Sequence, residues 1–429
     1  MAYEGSDNNA LTISSAESWF KRWYIDNGNL DGLMYQDKFL GRLKRLPATT
    51  NTAGNKIIVP VRVGRNPNQS KTFSSAQNAA KARTGAREEW QLDTSDFFGV
   101  IRVSDKSILA SRNNRGAFVE MLTDEADSAL EGLAQKWCTS LFSTVDNAVG
   151  KVGSVSGANI TLKQPADVVN LDINDQIELR VPGSGSLRAG GSAYVTKIRR
   201  DTGVITTSAA ISGAAADDDV FRVGDYGKTA VTSFDDYIPT AAPTSTLNGI
   251  DRSIDPIRLG GHRIAMSATD KFDSVVRKMA SRIMQLTGKV PTIAVMNPLV
   301  DQVVSEELTD KIRYSNNDGK GAGMSAMVGQ GPLSFKTGGG EIETVLTPFA
   351  PLNRFYLLNE ADVGLYYLAE EGGDLVFFKK NPETGGIFKL SHDSAGIEAR
   401  AESYGNLGLK NPGLHGVISL HSGKVPSLA

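Results

Sequence analysis

The side chains that most often perform chemistry are few in this chain and far apart. The four histidines are His262, His392, His415 and His421, and none has a partner at the i, i+4 spacing with which a helix presents metal ligands. Cys138 is the only cysteine, which excludes an internal disulfide and a multi-cysteine metal site. It falls on a predicted helix, where a small, semi-buried role is favoured over that of a nucleophile.

Two further motifs predict no cofactor either. Gly321-Ala322-Gly323 begins a GxGxxA pattern, but it follows no strand of a βαβ unit, so we interpret it as a loop. Asp217, Asp218 and Asp219 could bind a cation, yet their spacing lacks the pattern of a calcium loop and favours a solvated acidic loop. No Walker A motif is present. The sequence therefore predicts neither an enzyme nor a cofactor.

The strongest pattern is a segregation of charge. From Lys38 to Arg87 there are eleven Lys and Arg residues and no Asp or Glu, so this stretch carries +11 and the remainder −13. A predicted helix follows with an acidic stripe at spacings of four, three and four: Glu120, Asp124, Asp127 and Glu131. Opposite charges on neighbouring elements predict a surface that meets its complement on another copy. The basic partners would be Arg62, Arg65, Lys71, Lys81, Arg83 and Arg87.

Two alternatives for the basic stretch rank below this one. A solvated basic face is second, but it does not explain the complete exclusion of acids. Nucleic acid is third, because only Phe39 and Phe73 could stack on bases there and the overall pI is near 6.2.

The elements that carry these charges can be outlined from hydrophobic patterns. A strand is expected at 56–64, with Pro60 restricting it to an edge or a free-standing hairpin, and a return strand at 89–105. Between them, 65–88 contains one large hydrophobe, which predicts a segment that is mobile or ordered by a partner. The longest helix is expected at 116–148, with an apolar face of Phe118, Leu122, Ala126, Ala129, Leu133 and Trp137.

The second half of the chain predicts a β-block followed by an α+β region. Short strands are expected at 158–163, 176–181, 192–199 and 203–207, and a loose linker at 238–249. Helices are then expected at 269–287 and 299–309, and strands at 290–298, 341–347, 354–359, 363–368 and 374–379. Ile397, Ala399 and Ala401 alternate with charged residues, which predicts a strand with one buried face.

Length and composition set outer bounds. A chain of 429 residues supports two to four domains. No apolar run approaches the ~20 residues that span a bilayer. The N-terminus lacks the layout of a signal peptide, and the lone cysteine is consistent with folding in a cytosol.

The order of these parts resembles the major capsid protein of tailed bacteriophages, whose fold is called the Hong Kong 97 type. Segments 259–284 and 401–420 carry the resemblance beyond the hairpin and the long helix. It implies an α+β fold with an N-terminal arm at 1–54, an extended hairpin loop at 55–108, a peripheral domain with the spine helix at 109–149 and 351–429, and an axial domain at 246–350. The β-rich insertion domain at 150–245 is a departure, because it is absent from the minimal form of the fold.

The resemblance also implies a function and partners. The chain would assemble with itself into hexamers and pentamers of an icosahedral shell around double-stranded DNA, bound non-specifically. A portal and a separate scaffolding protein would take part, a decoration protein is left open, and no membrane is involved. Assembly would occur in the host bacterial cytoplasm, and the protein would reside in the virion.

Three rival functions remain at this stage. An encapsulin, a bacterial compartment of the same fold with a protein cargo, is the first alternative, although encapsulins are typically shorter and lack such an insert. A carbohydrate-active enzyme that uses the β-block as a binding module would need a convergent acid/base set, which the sequence does not offer. A nucleic-acid-binding protein would show a steep salt dependence of its DNA affinity.

Overall fold

The computed structural model describes residues 37–47, 52–53, 56–64, 68–82, 87–104, 115–143, 147–309, 334–368, 375–380, 387–390 and 396–426. Its α-helices are α1 Lys38–Arg42, α2 Phe73–Ala82, α3 Arg115–Phe142, α4 Phe234–Tyr237, α5 Phe272–Thr287 and α6 Pro298–Thr309. Most of the expected N-terminal arm and the glycine-rich loop around 321 lie outside the described residues.

The described strands fall into two large sheets, a barrel, a three-stranded hairpin sheet and a two-stranded sheet formed by Thr246–Leu247 and Ile250–Asp251. In chain order they are β1 Lys44–Pro47, β2 Thr52–Ala53, β3 Lys56–Arg62, β4 Arg87–Asp93, β5 Ser95–Ser104, β6 Gly150–Ser156, β7 Asn159–Leu162, β8 Gln176–Arg180, β9 Leu187–Arg199, β10 Val204–Thr207, β11 Asp219–Arg222, β12 Thr246–Leu247, β13 Ile250–Asp251, β14 His262–Ala265, β15 Ile293–Met296, β16 Ser334–Thr337, β17 Gly340–Leu346, β18 Arg354–Leu358, β19 Val363–Leu368, β20 Phe377–Phe378, β21 Lys389–Leu390, β22 Gly396–Leu409 and β23 Gly416–Ser419. The mixture of helices and sheets confirms the α+β class.

The first sheet is organised around the long strand β22. β1, β19 and β22 lie side by side, and β5, β20 and β21 also pair with β22. Ile397, Ala399 and Ala401 are buried as predicted. On the opposite face Arg400 is exposed but Glu402 is also buried, so the alternation expected for a strand with one open face is not kept at Glu402. Helix α3 packs on this sheet: the rings of Trp137 and Phe97 lie 4.9 Å apart. The indole N–H of Trp137 donates to the Ser403 hydroxyl at 3.0 Å.

The second sheet joins strands from distant parts of the chain in the order β14-β23-β18-β15-β17-β16. Helix α5 covers it, with the Phe272 ring 6.4 Å from that of Phe355. Strands β18 and β23 come from the range 351–429, which the sequence assigned to the other domain. The sheet thus crosses the boundary expected at residue 350, because strands from both sides of that boundary pair in one sheet.

The six strands from β6 to β11 close into a barrel in the order β10-β7-β6-β11-β8-β9. The four strand predictions in this block are confirmed, and β6 and β11 complete the ring. Val152, Ile177, Leu179, Val195, Ile205 and Val220 fill its own core at 0% exposure. The barrel ends at Arg222, well before residue 245. Phe234 and Tyr237 after it are packed into the core around the first sheet.

The hairpin sheet β2-β3-β4 is not free-standing. Every second residue of β3 is buried against the main core, including Ile57, Val59 and Val61, and Trp90 on β4 packs edge-on against Tyr237 at 5.7 Å. Of the two alternatives expected for this strand, the free-standing hairpin is therefore wrong, because one apolar face of β3 continues through Val63. Pro60 pairs only with Glu89 on β4, beyond the end of β2, so it lies at an edge as the other alternative expects. Only the segment beyond these strands leaves the core.

Candidate assembly surface

Helix α2 lies at the tip of the β3–β4 hairpin and is almost entirely exposed. The segment 65–88 was expected to lack structure of its own, and this is wrong for Phe73–Ala82, which form a ten-residue helix. The expectation was based on the single large hydrophobe of this segment, and the helix does bury little apolar surface, since the Phe73 side chain is 82% exposed. In a single copy of the chain this aromatic ring is therefore an exposed apolar surface.

The basic residues of the hairpin are placed around this helix as far as the structure describes them. Lys71 and Lys81 stand exposed at the two ends of α2, and Arg87 is exposed at the start of β4. Arg62 is the Cα partner of Arg87 across the hairpin. Its side chain, like the whole of Arg65 and Arg83, lies outside what the structure describes.

Two cations of the remaining basic stretch, Arg42 and Lys56, form ion pairs within the chain, whereas Lys38 and Lys44 are exposed. Arg42 contacts Glu343 at 2.9 Å and Glu360 at 3.1 Å. These contacts raise the pKa of the Arg42 guanidinium, chiefly through the hydrogen bond to Glu360. Lys56 pairs with Asp93 across the hairpin at 3.6 Å. The positive charge available to a partner is therefore smaller than +11.

The acidic stripe lies on α3 as expected, although the helix ends at Phe142 rather than at 148. Glu120 and Asp124 are in this helix, but their side chains are not among those described. Asp127 is half-buried and Glu131 is exposed. On the apolar face Ala126, Leu133 and Trp137 are buried, as predicted.

The barrel is fastened to the C-terminal half of α3, a contact that the sequence did not predict. Gln135 Nε2 donates to the Val169 carbonyl at 2.6 Å, and Thr139 Oγ1 donates to Asn170 Oδ1 at 3.2 Å. Lys136 pairs with Asp225, just beyond the barrel, at 3.3 Å. These bonds fix the barrel against one flank of the helix.

A groove of about 1090 Å³ lies between α3 and the barrel. Its helix wall includes Ser128, Glu131 and Gly132, and its barrel wall includes Asp172 and Ile173. Ile173 is 56% exposed, and a Cβ added to Gly132 would meet no atom within 4 Å. A helical glycine costs about 1 kcal/mol relative to alanine, and no described contact with the rest of the chain uses the space it leaves.

Of the residues considered first for chemistry, two histidines have structural partners, whereas His262 is buried and its Nε2 atom lacks a hydrogen-bond partner in the part of the chain that the structure describes. His415 is buried 3.3 Å from Asp362, and His421 accepts the backbone N–H of Gly423. His392 lies outside the described residues. Cys138 is 2% exposed, and burial raises the pKa of its thiol well above the usual value. Among the described residues no group of three His, Cys, Asp or Glu side chains could hold a metal ion.

The acidic triplet is not the solvated loop expected from its composition. Asp218 is fully buried and accepts two hydrogen bonds from the Arg188 guanidinium, at 2.5 and 2.8 Å. Asp219 forms an ion pair with Lys151 at 2.6 Å. Asp217 remains exposed and pairs with Lys163, whose hydrogen bond lowers the pKa of that carboxyl. The triplet therefore neutralises barrel cations.

A search for membrane-spanning helices found no helix in the described part of the chain with the length and apolar character to cross a bilayer.

Comparison with known proteins found likeness in structure only. No family model and no curated protein matches the chain. The capsid asymmetric unit of cyanophage A-1(L) is 13% identical, with 90% of this chain and 92% of that chain covered at a TM-score of 0.49. The encapsulin complex of Synechococcus elongatus PCC 7942 is 9% identical, with 90% and 88% covered at a TM-score of 0.43. Gordonia phage Cozz gives 10% identity, 88% and 85% coverage and a TM-score of 0.40. The similarity is therefore one of fold, and the sequence identities are too low for the role of any residue to be transferred to this chain.

Proposed function

We propose that the chain is a structural major capsid protein, which assembles with itself into the icosahedral head shell of a tailed bacteriophage. The observation that carries this proposal is the hairpin tip. A half-buried hairpin presents an exposed helix with lysines at both ends, and its Phe73 is the most exposed large hydrophobic side chain among the described residues, at 82%. Such a tip needs a partner, and the acidic α3 of another copy offers the complementary charge.

The mechanism is the summation of weak contacts over symmetric copies. Each exposed ion pair between the basic tip and the acidic helix is worth about 0–1 kcal/mol and is screened by salt. A hairpin that engages one neighbour while its own α3 receives another makes a head-to-tail contact, and contacts of this type close into rings. Hexamers and pentamers built this way would form the shell, with double-stranded DNA enclosed through non-specific contacts.

Other partners follow from the same proposal. A portal and a separate scaffolding protein would act during assembly in the host cytoplasm, and the finished protein would reside in the virion. Of the rival functions, an encapsulin would share the self-assembly but would enclose a protein cargo, so the contents of native shells separate the two.

The test is electron microscopy of the chain expressed alone, after sizing in low and high salt, with a charge-reversal variant beside it. We expect closed shells or ring-shaped capsomers from the wild type, and their loss in a Lys81→Glu/Arg87→Glu variant whose subunit remains folded. The matched control is Lys197→Glu/Arg199→Glu, which makes the same change in charge at exposed positions of the barrel. Equal shell yield from both variants would show that the basic tip is not an assembly contact. Subunits that stay monomeric even with scaffolding protein would contradict the capsid function itself.

A further inference from the structure

We propose that helix α2 of one copy docks in the groove between α3 and the barrel of a second copy, with Phe73 against Ile173. This inference rests on the proposed function and deepens it, because it gives the barrel a part in the contact between subunits. The occupant is a defined segment of the same chain, and the argument has three parts: the helix, the groove and their charges.

In a single copy helix α2 packs little of its surface against the rest of the chain. A ten-residue helix is marginal in water on its own, so most of the stability of such a helix comes from packing an apolar face. Phe73, Ala76 and Ala80 lie at i, i+3 and i+7, which places them on one face. Gln77 at i+4 shares this face, so besides the phenylalanine it presents two small side chains and one amide to a partner.

The groove has the features that would accept such a face. Gly132 leaves open space above the backbone of α3, one turn from Ser128, so a second helix could come close to this wall. Ile173 on the opposite wall is an exposed apolar side chain at the reach of an aromatic anchor. The volume of about 1090 Å³ exceeds that of one aromatic side chain, so it leaves room for part of the rest of that face as well.

The charges of the two surfaces are complementary. The segment from 71 to 82 carries lysines and no acidic residue. Of the cations in the groove, Lys136 and Arg222 are each paired with an aspartate of this chain at 3.3 Å, whereas Lys38 is exposed. Four carboxylates line the groove against these three cations, and Glu131 among them is exposed, so the balance of charge is negative. Asp172 pairs with Arg200 at 3.2 Å, but both side chains are more than half exposed, so this pair can rearrange at little cost.

Cysteine cross-linking between two preparations tests the contact directly. The one native cysteine, Cys138, is buried, so introduced thiols on the surface are the reactive ones. Phe73→Cys and Ile173→Cys subunits are prepared separately, mixed, assembled and oxidised. We expect a disulfide dimer from this mixture and none when Leu286→Cys, which is 55% exposed on α5, replaces Ile173→Cys.

The outcomes separate the inference from the function beneath it. Shells that form without a Phe73–Ile173 cross-link, or with no more than the Leu286 control gives, would overturn the docking while leaving the capsid function intact. Failure of the wild type to assemble even with scaffolding protein would instead refute the proposed function. A cross-link confined to the mixture supports contact between two copies, because neither subunit holds both thiols.

A second variant addresses the open space at Gly132. Gly132→Leu introduces a better helix former, so the unfolding equilibrium of the isolated subunit should shift toward the folded state, by roughly fivefold. The same side chain fills the groove, so shell yield should fall by about tenfold or more. Ser140→Ala, which also favours the helix but lies outside the groove, is the control. A Gly132→Leu yield equal to that of the control would contradict the docking.

Discussion

Asp167 offers a measurable link between pH and the attachment of the barrel. It lies on a short 3₁₀ helix, Pro165–Asn170, in a crevice of about 270 Å³ between the barrel and the main body. Burial raises the pKa of the Asp167 carboxyl to about 7, against the charge of Arg354, which lowers it. Lys151 and Lys163 also line the crevice, where they pair with Asp219 and Asp217 of the barrel domain.

The sign of the effect follows from the direction of this shift. In the unfolded chain the carboxyl has a pKa near 3.8, so between pH 4 and 7 the folded protein keeps a proton that the unfolded chain releases. The stability contributed by Asp167 is therefore complete below about pH 4 and is lost as the pH rises toward 7. A difference of about three pKa units corresponds to about 4 kcal/mol, an upper bound because water can enter the crevice and relieve part of the burial.

The assay is urea unfolding of the unassembled subunit at pH 4.5, 6 and 8, for the wild type and Asp167→Asn. Asparagine resembles the protonated carboxyl at all three values, so we expect an advantage for the variant of at most about 1 kcal/mol near pH 4.5, which grows to as much as about 4 kcal/mol at pH 8. Carboxyls with a lowered pKa, such as that of Asp362, act in the opposite direction but are common to both proteins and cancel in the difference. A difference that is the same at pH 4.5 and pH 8 would refute the reasoning.

Two further predictions concern buried polar contacts. Trp137→Phe should lower the free energy of unfolding by about 1–2 kcal/mol, because the Ser403 hydroxyl loses its hydrogen-bond donor. Ser403→Ala should then cost less in the Trp137→Phe background than in the wild type. If denaturant unfolding shows that the two costs simply add, the two residues are not coupled. Arg354→Met should cost about 3–5 kcal/mol, because Asp235 is left charged and without its cation in the core. The Arg354→Met/Asp235→Leu double variant should recover much of this loss, and a double variant as unstable as the single one would count against the explanation.

Local patterns predicted the elements of this fold well. The apolar stripe expected for a helix at 269–287 corresponds to Phe272–Thr287, and the apolar run at 290–298 contains the buried strand Ile293–Met296. Helix ends were less predictable: the long helix ends at Phe142 because the chain turns there into the barrel, where the Val149 N–H donates to the Val220 carbonyl. Periodicity records which face is buried but not which distant segment buries it.

The contacts that shape the candidate assembly surface are made between segments that are distant in the sequence. Arg42 belongs to a run that reads as uniformly basic, yet its bond to Glu360 spans 318 positions and removes it from the surface. Helix α2 has few apolar residues, so composition predicted no structure there. The groove at Gly132 depends on the barrel folding back onto α3, which no spacing within either element encodes. The glycine was nevertheless a usable signal, because a residue that weakens a helix needs a reason to stand in its interior.

The way the barrel is inserted explains how such a groove can arise without disturbing the rest of the fold. The chain enters the barrel through β6 and leaves through β11, and these strands pair directly, with Val220 opposite Gly150. Entry and exit are therefore adjacent, so the flanking segments keep the separation that a short connection would give them. Once in place, the barrel bonds to α3 through Gln135 and Thr139 and occupies one flank of that helix. Gly132 lies on the same face of α3 as Gln135 and Thr139 and lines the groove beside the barrel. A neighbouring subunit that docks there would be confined to that groove, so the insertion narrows the positions in which two copies can meet.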